Sequence, residues 1–220
     1  MLRLYYSPGA CSLAPHIILE EIGQPYELVR IPLMEGAHLK PDYLAINPKA
    51  RVPALEGPFG RNGTSTGVLT EAPAILFYLA QLRPELELLP RDPGLQARSF
   101  EWLNWLSSAM HGMSFGQIWR PQRFVTDESL FPAVSTKGRE NVTEQYSYVE
   151  ALMGDGRDWA VAGAGFTIAD AFLLVFYRWG NRIGFDMKAA YPAWTRIAER
   201  ALARPAVQKA MADEGITIFS

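Results

Sequence analysis

The amino-acid pattern changes near residue 84, and this change constrains the fold more than any other feature. Before it, an apolar stretch at residues 2–6 is followed by a helical pattern over Ser12–Ile22 and a second apolar run over Tyr26–Leu33. Because a helix separates the two runs, we expect them to pair in parallel as a right-handed βαβ unit. After residue 84, strand patterns nearly vanish and helical periodicity dominates.

The pattern predicts two domains joined by a linker. Residues 1–83 form a small α/β domain, the proline-rich segment 84–94 a linker, and residues 95–220 an all-α domain. The first domain continues with a helix at Leu39–Ile46, strands at Val52–Leu55 and Gly67–Leu69 around a loop at Gly57–Thr66, and a helix capped by Thr70 that ends at about Leu82. The second contains helices near 95–120, 133–153, 168–183 and 190–212.

Composition excludes several classes of protein. Hydrophobic residues make up 49% and charged residues 20%, as in ordinary globular proteins, and the net charge of −2 disfavours nucleic acid as the main partner. No apolar run is long enough for a membrane span, and Met1–Pro8 does not resemble a signal peptide. The lone cysteine cannot form an internal disulfide, which fits the reducing cytoplasm. We therefore expect a cytoplasmic protein.

Sequence motifs exclude further chemistries. Three isolated histidines and one cysteine offer no cluster of metal ligands, so we expect no metal site. No GxGxxG, Walker-type or G-x-S-x-G motif is present, which disfavours dinucleotide binding, nucleotide hydrolysis and serine hydrolysis.

Cys11 is the strongest local candidate for chemistry. It follows the turn Ser7–Ala10 and opens the first predicted helix, where the helix dipole favours a thiolate and lowers its pKa. A free cysteine is also commonly a small buried hydrophobic residue, and position alone does not separate the two interpretations. If Cys11 does thiol chemistry, the second thiol must be external, and glutathione is the obvious candidate in a reducing cell.

Two further segments can bind a peptide-like ligand. Glu71 begins a helix, where it either stabilises the helix dipole or accepts a ligand ammonium while the first-turn N–H groups bind a carboxylate. Val52 precedes Pro53, and a cis bond there turns the Val52 backbone outward to pair with an extended peptide.

In the helical half, Asn104, Ser108, His111 and Phe115 share one predicted helix stripe, opposite a core stripe of Trp102, Leu106, Met110 and Met113. The polar stripe is either solvated or faces the thiol, in which case His111 contacts a bound sulfur. His16 is predicted to be structural, and His38 has too little context to interpret. Thr167 and Asp170 form a predicted capping box, a structural feature.

With these motifs assembled, the chain resembles the cytosolic glutathione transferases, especially the bacterial beta class. The matching segments are Tyr5–Leu13, Pro15-His16, Leu44–Lys49, Val52-Pro53, Leu69–Glu71 and Phe166–Asp170.

The resemblance implies a thioredoxin-like N-terminal domain, a helical C-terminal domain, a homodimer and a cytoplasmic detoxifying enzyme. It implies that Cys11 either supports the glutathione thiolate or can form a mixed disulfide with it, that Val52 pairs with the tripeptide beside a cis Pro53, and that Glu71 contacts its γ-glutamyl end. His111 matches the histidine of the class that approaches the glutathione sulfur, and glutathione itself is a co-substrate.

The sequence departs from the family at three places. Ala72 replaces a small hydroxyl residue that holds the γ-glutamyl carboxylate, Gly112 replaces a basic residue, and a loop lysine has no counterpart among residues 34–36. Each lost hydrogen bond to a charged group is worth about 1.5–3 kcal/mol. The loop from Gly57 to Gly67 is also longer than usual.

The leading hypothesis is a glutathione transferase or thiol-exchange enzyme acting on small hydrophobic electrophiles. Tyr6, Phe115 and Trp119, together with Trp179, are candidates for the electrophile site, and Ala72 for glutathione binding through its N–H. Two alternatives remain at this stage: a non-catalytic binding protein on the same fold, and a glutathione-dependent dehalogenase, isomerase or ether-cleaving enzyme.

Overall fold

The computed structural model describes residues 1–60 and 65–219. The predicted loop at Gly57–Thr66, with the unusual length predicted for it, includes residues 61–64, which lie outside the described residues. The N-terminal region contains a four-stranded sheet of order β2-β1-β3-β4. Its strands are β1 (Leu2–Tyr6), β2 (Tyr26–Arg30), β3 (Ala54–Gly57) and β4 (Gly67–Thr70).

The strand pairing confirms the predicted βαβ unit. β1 pairs in parallel with β2, in the register Leu4 to Leu28. β3 pairs antiparallel with both β1 and β4, so the sheet is mixed. The helices of this region are α1 (Leu13–Ile22), α2 (Pro41–Ile46) and α3 (Ala72–Gln81). Because α1 and α3 are apolar on the face that they bury, they share one core with the helical region.

Three boundaries differ from the predictions for physical reasons. β2 ends at Arg30 instead of Leu33, and the chain past Pro32 turns into a 3₁₀ turn at Leu33–Glu35. Proline lacks an N–H for the sheet, and β3 accordingly begins at Ala54, after Pro53. Thr70 does not cap α3, since it ends β4 and Glu71 is the residue before the helix.

The remainder of the described chain is helical apart from its connections. After a 3₁₀ turn at Pro84–Leu86 come α4 (Pro93–Trp105), a π-helical stretch (Leu106–Phe115), α5 (Gly116–Trp119), α6 (Phe131–Met153), α7 (Ile168–Arg182), α8 (Met187–Ala190), α9 (Pro192–Leu202) and α10 (Pro205–Glu214). The predicted helix at 190–212 is in fact interrupted, because Pro205 begins a new helix.

The π-helical stretch changes which side chains face the core. Its wider turn rotates later residues away from the positions that a 3.6-residue period predicts. Phe115, predicted to share the polar stripe of His111, is fully buried, whereas Met113, predicted to lie in the core, is 53% exposed.

The capping box of α7 is confirmed. The carboxylate of Asp170 accepts hydrogen bonds from the N–H and hydroxyl of Thr167 (both 2.8 Å) and from the N–H of Ala160 (2.7 Å). These bonds join the start of α7 to the preceding loop, and burial raises the pKa of Asp170 to about 6. Among the described helices, none combines the length and apolar character required to cross a membrane.

Candidate active site

The turn between β1 and α1 is held against the helical region by buried polar groups. Gly9 adopts a φ of +67°. Its N–H donates to Glu214 Oε2 at 2.7 Å, while its carbonyl accepts from Trp179 Nε1 at 2.9 Å and from Arg178 at 3.3 Å. A Cβ at position 9 would lie 2.4 Å from the Arg178 guanidinium, so only glycine fits there.

His16 completes this network and is structural, as predicted. Its ring is fully buried, with Nδ1 2.9 Å from Glu214 Oε1 and Nε2 3.0 Å from the Tyr26 hydroxyl. We refer to Gly9, His16, Arg178, Trp179 and Glu214 together as the domain contact. It fixes the backbone that leads into Cys11.

Cys11 lies beside the backbone of Val52. Its Sγ donates to the Val52 carbonyl oxygen at 3.3 Å, and the Val52–Pro53 peptide bond is cis, as the resemblance implies. The Cys11 side chain is buried, with 5% of the residue exposed. The structure thus brings together two segments that lie far apart in the sequence.

Of the two interpretations that the sequence left open for Cys11, the structure supports the buried thiol and not the activated thiolate. Burial raises the pKa of the Cys11 thiol to about 12, because the thiolate loses its hydration. The N–H groups of Cys11 and Ser12 oppose this effect but are too weak to reverse it. α1 begins only at Leu13, so Cys11 precedes the helix instead of occupying its first turn. At neutral pH this residue is therefore a neutral thiol that can donate a hydrogen bond.

Glu71 has an unusual backbone conformation at the start of α3. Its φ is +74°, a region that residues other than glycine rarely adopt. Its exposed carboxylate lies 2.7 Å from Lys49 Nζ, and the same ammonium donates to the Thr70 hydroxyl at 2.9 Å. Ala72 is buried as the first residue of α3. The conformation directs Glu71 outward at the point where α3 offers its unpaired first-turn N–H groups.

His111 lies among aromatic rings on the helical side. Its ring centroid is 5.0 Å from that of Trp179, whose indole N–H also binds Gly9. The pKa of His111 is lowered to about 4, first by burial and then by the positive charges of Arg51 and Arg123. His111 is therefore neutral at physiological pH and is connected through Trp179 to the turn before Cys11.

The three aromatic candidates differ in exposure. Tyr6 is 7% exposed and Phe115 is fully buried, whereas Trp119 keeps part of its surface accessible. The ring of Phe115 lies 4.8 Å from that of Trp119, and Trp179 lies 4.9 Å from Trp119. Phe115 and Trp179 therefore support Trp119 from behind instead of forming the surface themselves.

The sequence analysis missed three cations whose positive charges act on His111 or on one another. Arg51 precedes Val52, Arg120 follows α5, and Arg123 ends a 3₁₀ turn at Pro121–Arg123. We refer to these three residues as the arginine cluster. Its members come from distant segments, so only the alternation of basic and aromatic residues near position 120 could have suggested it.

One group of potential metal ligands lies apart from the thiol. Ligand atoms of His16, Glu20 and Asp213 lie within 4.8 Å of one another. The Lys209 ammonium is 3.1 Å from Glu20 and 2.6 Å from Asp213, and Tyr26 donates to Glu20. The ammonium of Lys209 thus offsets part of the negative charge of Glu20 and Asp213.

Comparison with known proteins gives a consistent result. Residues 1–81 match the family model for the glutathione S-transferase N-terminal domain, and residues 127–205 match that for the C-terminal domain. The chain is 37% identical to glutathione S-transferase GstA of Escherichia coli O157:H7, over 98% of this chain and all of the relative.

Solved structures agree with this. A glutathione transferase homologue from Sulfitobacter with bound glutathione shares 35% identity, with a TM-score of 0.87 over 99% of both chains. A bacterial beta-class glutathione S-transferase of Sphingomonas chungbukensis shares 32% identity, with a TM-score of 0.80 over 98% of this chain and 100% of that one.

Proposed function

Because the chain belongs to the glutathione S-transferase family, we propose that it binds glutathione and transfers it to a small hydrophobic electrophile. The proposed reaction forms a bond between the glutathione sulfur and an electrophilic carbon. The electron pair of the bond to the leaving group departs with that group, and the thiol proton is released to solvent.

The observation that carries this proposal is the contact between Cys11 and Val52. The Val52 carbonyl, which accepts from the Cys11 thiol at 3.3 Å, adjoins the cis peptide bond to Pro53. An extended tripeptide that pairs with the Val52 backbone therefore has its central cysteine beside Cys11. A carbonyl oxygen has two lone pairs, so Val52 can accept from Cys11 and from the ligand together.

We assign Cys11 the role of a neutral hydrogen-bond donor to the glutathione thiolate. A pKa of about 12 leaves its proton in place at neutral pH. A donor beside a developing thiolate stabilises it and lowers the pKa of the bound glutathione. Neutral His111 is the second proposed donor, since one ring nitrogen carries a hydrogen. Thiol exchange through a mixed disulfide would instead require Cys11 to ionise.

The γ-glutamyl end of glutathione has its proposed partners at the start of α3. Glu71 is assigned to the ligand ammonium, and the first-turn N–H groups beginning at Ala72 to the ligand carboxylate. The Lys49 ammonium, 2.7 Å from Glu71, adds a positive charge at this position. It can offset the hydroxyl group that Ala72 lacks, because an ammonium also binds a carboxylate.

The electrophile is assigned to the aromatic wall. Trp119 offers the accessible apolar surface, with Phe115 and Trp179 behind it, and His111 packs against Trp179. Tyr6 is buried at the end of β1, and we propose it as a supporting residue of this wall.

We also propose a homodimer. Phe77 on α3 is 39% exposed, and its ring lies 5.5 Å from that of Phe100 on α4. This apolar surface spans both regions of the chain, and covering it with a second copy would stabilise both. Light scattering on the purified protein would give twice the chain mass if this is correct. Cytoplasmic action on toxic electrophiles follows from the family resemblance and remains part of the proposal.

The proposed function is tested by calorimetric titration with glutathione and by turnover of chlorodinitrobenzene. We expect binding below millimolar concentration and an ultraviolet thiolate band of bound glutathione at neutral pH. Cys11→Ala should raise the pKa of bound glutathione by about one unit, whereas Cys11→Ser, which keeps a donor, should restore most of the difference.

Three results would contradict the proposal. Absence of glutathione binding at millimolar concentration would indicate a non-catalytic protein on the same fold. Binding without turnover of any electrophile would have the same meaning. An unchanged pKa of bound glutathione in Cys11→Ala would remove the role of Cys11 while leaving the transferase assignment in place.

A further inference from the structure

Helix α6 packs very closely against α5 and the end of the π-helical stretch, and the closest approach is at Gly138. Gly138 is a buried residue in the interior of α6. A Cβ there would lie 2.7 Å from the Cβ of Gln117, 2.8 Å from the Ser114 carbonyl oxygen and 3.0 Å from the Ile118 nitrogen. Two of these are backbone atoms, which cannot rotate away as a side chain can, so this contact requires glycine on α6.

Two polar side chains of α6 bind the same segment. The Ser135 hydroxyl donates to the Gln117 carbonyl oxygen at 3.3 Å. The Asn141 amide donates to Gln117 Oε1 at 2.9 Å. Ser135, Gly138 and Asn141 follow one another at intervals of three residues, so they lie along one side of α6. We refer to these three residues as the α6 contact.

The segment that α6 contacts is wound more widely than an α-helix. The Gly116 N–H donates to the carbonyl oxygen of His111, five residues earlier, as in a π-helix. The buried Ser114 hydroxyl donates to the Ala109 carbonyl oxygen at 3.1 Å, also across five residues. Such turns are rare and are found frequently at functional sites. The α6 contact meets the π-helical stretch at the Ser114 carbonyl.

Two groups of the proposed site lie on either side of this contact in the chain. His111 precedes the residues that Gly138 approaches, and Trp119 directly follows them. Both side chains therefore project from the segment that α6 holds. Cys11 and Val52, by contrast, belong to the N-terminal region. A displacement of the segment against α6 moves His111 and Trp119 together relative to the proposed position of the sulfur.

We propose that Gly138 is a positioning residue for the transfer reaction, because the α6 contact holds His111 and Trp119 in place relative to bound glutathione. This inference rests on the proposed function, since it gives α6 a part in that reaction. A reaction between two bound molecules depends on their orientation, and a misplacement of about 1 Å can lower its rate about 100-fold. The contacts assigned to glutathione come from the N-terminal region, so the α6 contact acts on the reaction more than on glutathione binding.

Steady-state kinetics with glutathione and chlorodinitrobenzene tests the proposal. In Gly138→Ala the new Cβ displaces the segment, and we expect kcat to fall about tenfold while the KM for glutathione stays within about twofold of the parent value. Val149→Ala is the control for a loss of stability alone. Val149 is fully buried on the same helix, about 16 Å further along it. Its truncation opens a cavity and destabilises the fold, but kcat should stay unchanged.

A second set of variants tests the contact without adding an atom. Asn141→Ala removes the hydrogen bond to Gln117, and we expect kcat to fall about threefold. Gln117→Ala should have the same effect, and the double variant should lose no more, because both changes remove one interaction. The control Ser147→Ala removes an exposed bond within α6, to the Thr143 carbonyl oxygen, and should leave kcat unchanged.

Fluorine NMR of protein labelled with 5-fluorotryptophan separates this proposal from the proposed function, because it needs no turnover. The Trp119 signal is assigned by its loss in Trp119→Phe. We expect Gly138→Ala to shift this signal and to leave that of Trp159, in the loop after α6, unchanged. If the parent protein turns over no electrophile while the Trp119 signal shifts, the transferase assignment fails and the α6 contact still positions Trp119.

Two results would overturn the positioning role. Equal losses of kcat in Gly138→Ala and Val149→Ala would show that the contact supports stability alone. Unchanged kcat in both Gly138→Ala and Asn141→Ala, in a protein whose parent is active, would show that the contact does not position the reacting groups. If Gly138→Ala does not fold, Asn141→Ala decides by itself: a loss of kcat supports the role, and an unchanged kcat removes it.

Discussion

The domain contact and the arginine cluster differ in whether the protein itself supplies partners for their charged groups. In the domain contact, Glu214 is buried but accepts from both Gly9 and His16, and the Gly9 carbonyl has two donors. In the arginine cluster, the positive charges of Arg51 and Arg120 act on Arg123, and no acid lies within 4.0 Å of the three guanidinium groups among the described residues. We therefore expect the domain contact to stabilise the fold and the arginine cluster to reduce its stability.

The comparison extends to the two titratable groups that face the proposed sulfur position. Cys11, next to the domain contact, is kept neutral by burial. His111 is kept neutral by burial together with Arg51 and Arg123. The neutral state of Cys11 depends on the packing of the turn around it. The neutral state of His111 depends in part on the positive charges of Arg51 and Arg123.

The largest expected effect concerns the reactivity of Cys11. A pKa of about 12 in place of about 9 lowers the thiolate fraction at neutral pH about 10³-fold. Because thiolate is the reactive form, alkylation by iodoacetamide in the folded protein should be slower than in the urea-unfolded chain by at least this factor. The rate should still rise with pH beyond the point at which the unfolded chain reaches its plateau. A folded-state rate within tenfold of the unfolded rate would show that the turn is not closed.

The second prediction removes the acid of the domain contact. Glu214→Ala leaves the N–H of Gly9 and the ring of His16 without their buried acceptor. We expect a loss of about 3 kcal/mol in the free energy of unfolding, measured by urea denaturation. The control Glu199→Ala removes an acid that pairs with Lys188 on the surface, and it should cost at most about 0.5 kcal/mol. Equal losses in the two variants would contradict the structural role assigned to Glu214.

The third prediction separates two effects at Gly9. Gly9→Ala meets both an unfavourable φ of +67° and a Cβ contact of 2.4 Å with Arg178. Gly23→Ala has a similar φ of +64° but no atom within 4 Å of the new Cβ. We expect about 1 kcal/mol of destabilisation at position 23 and about 2 kcal/mol more at position 9. Similar losses at both positions would show that the turn can move away from Arg178.

Much of the fold could be predicted because it follows from local patterns. The parallel pairing of β1 and β2 follows from the helix between them, and the capping box of α7 follows from the spacing of Thr167 and Asp170. The prediction was wrong where the helix departs from the 3.6-residue period that the sequence pattern assumes. At Leu106–Phe115, the π-helical hydrogen bonds move Phe115 into the core and Met113 out of it, and no composition pattern announces that change.

The candidate site shows the same division. Cys11, Val52 and Glu71 were identified because each lies next to a recognisable turn, strand start or helix start. The sequence left the ionisation of Cys11 open, because the helix dipole can be inferred from position whereas desolvation depends on the segments packed against the thiol. Arg51 and Arg123 were missed for the same reason, since they approach one another only through the tertiary fold.

The smallest expected effect concerns the cost of the unbalanced cluster itself. Burial, and then the repulsion from Arg51 and Arg120, lower the pKa of Arg123, so replacing Arg123 by a neutral residue should stabilise the unliganded protein, unlike the loss of Glu214. For a partly solvated group we expect a gain of at most about 0.5 kcal/mol in Arg123→Gln at low ionic strength, because solvent screens such charges. The gain should disappear as salt shortens the range of the repulsion. Arg98→Gln, which breaks an exposed pair with Glu101, should instead lose stability at low salt. If Arg123→Gln were also less stable at low salt than at high salt, an acid of the protein would be balancing the cluster, and the contrast between the two regions would not hold.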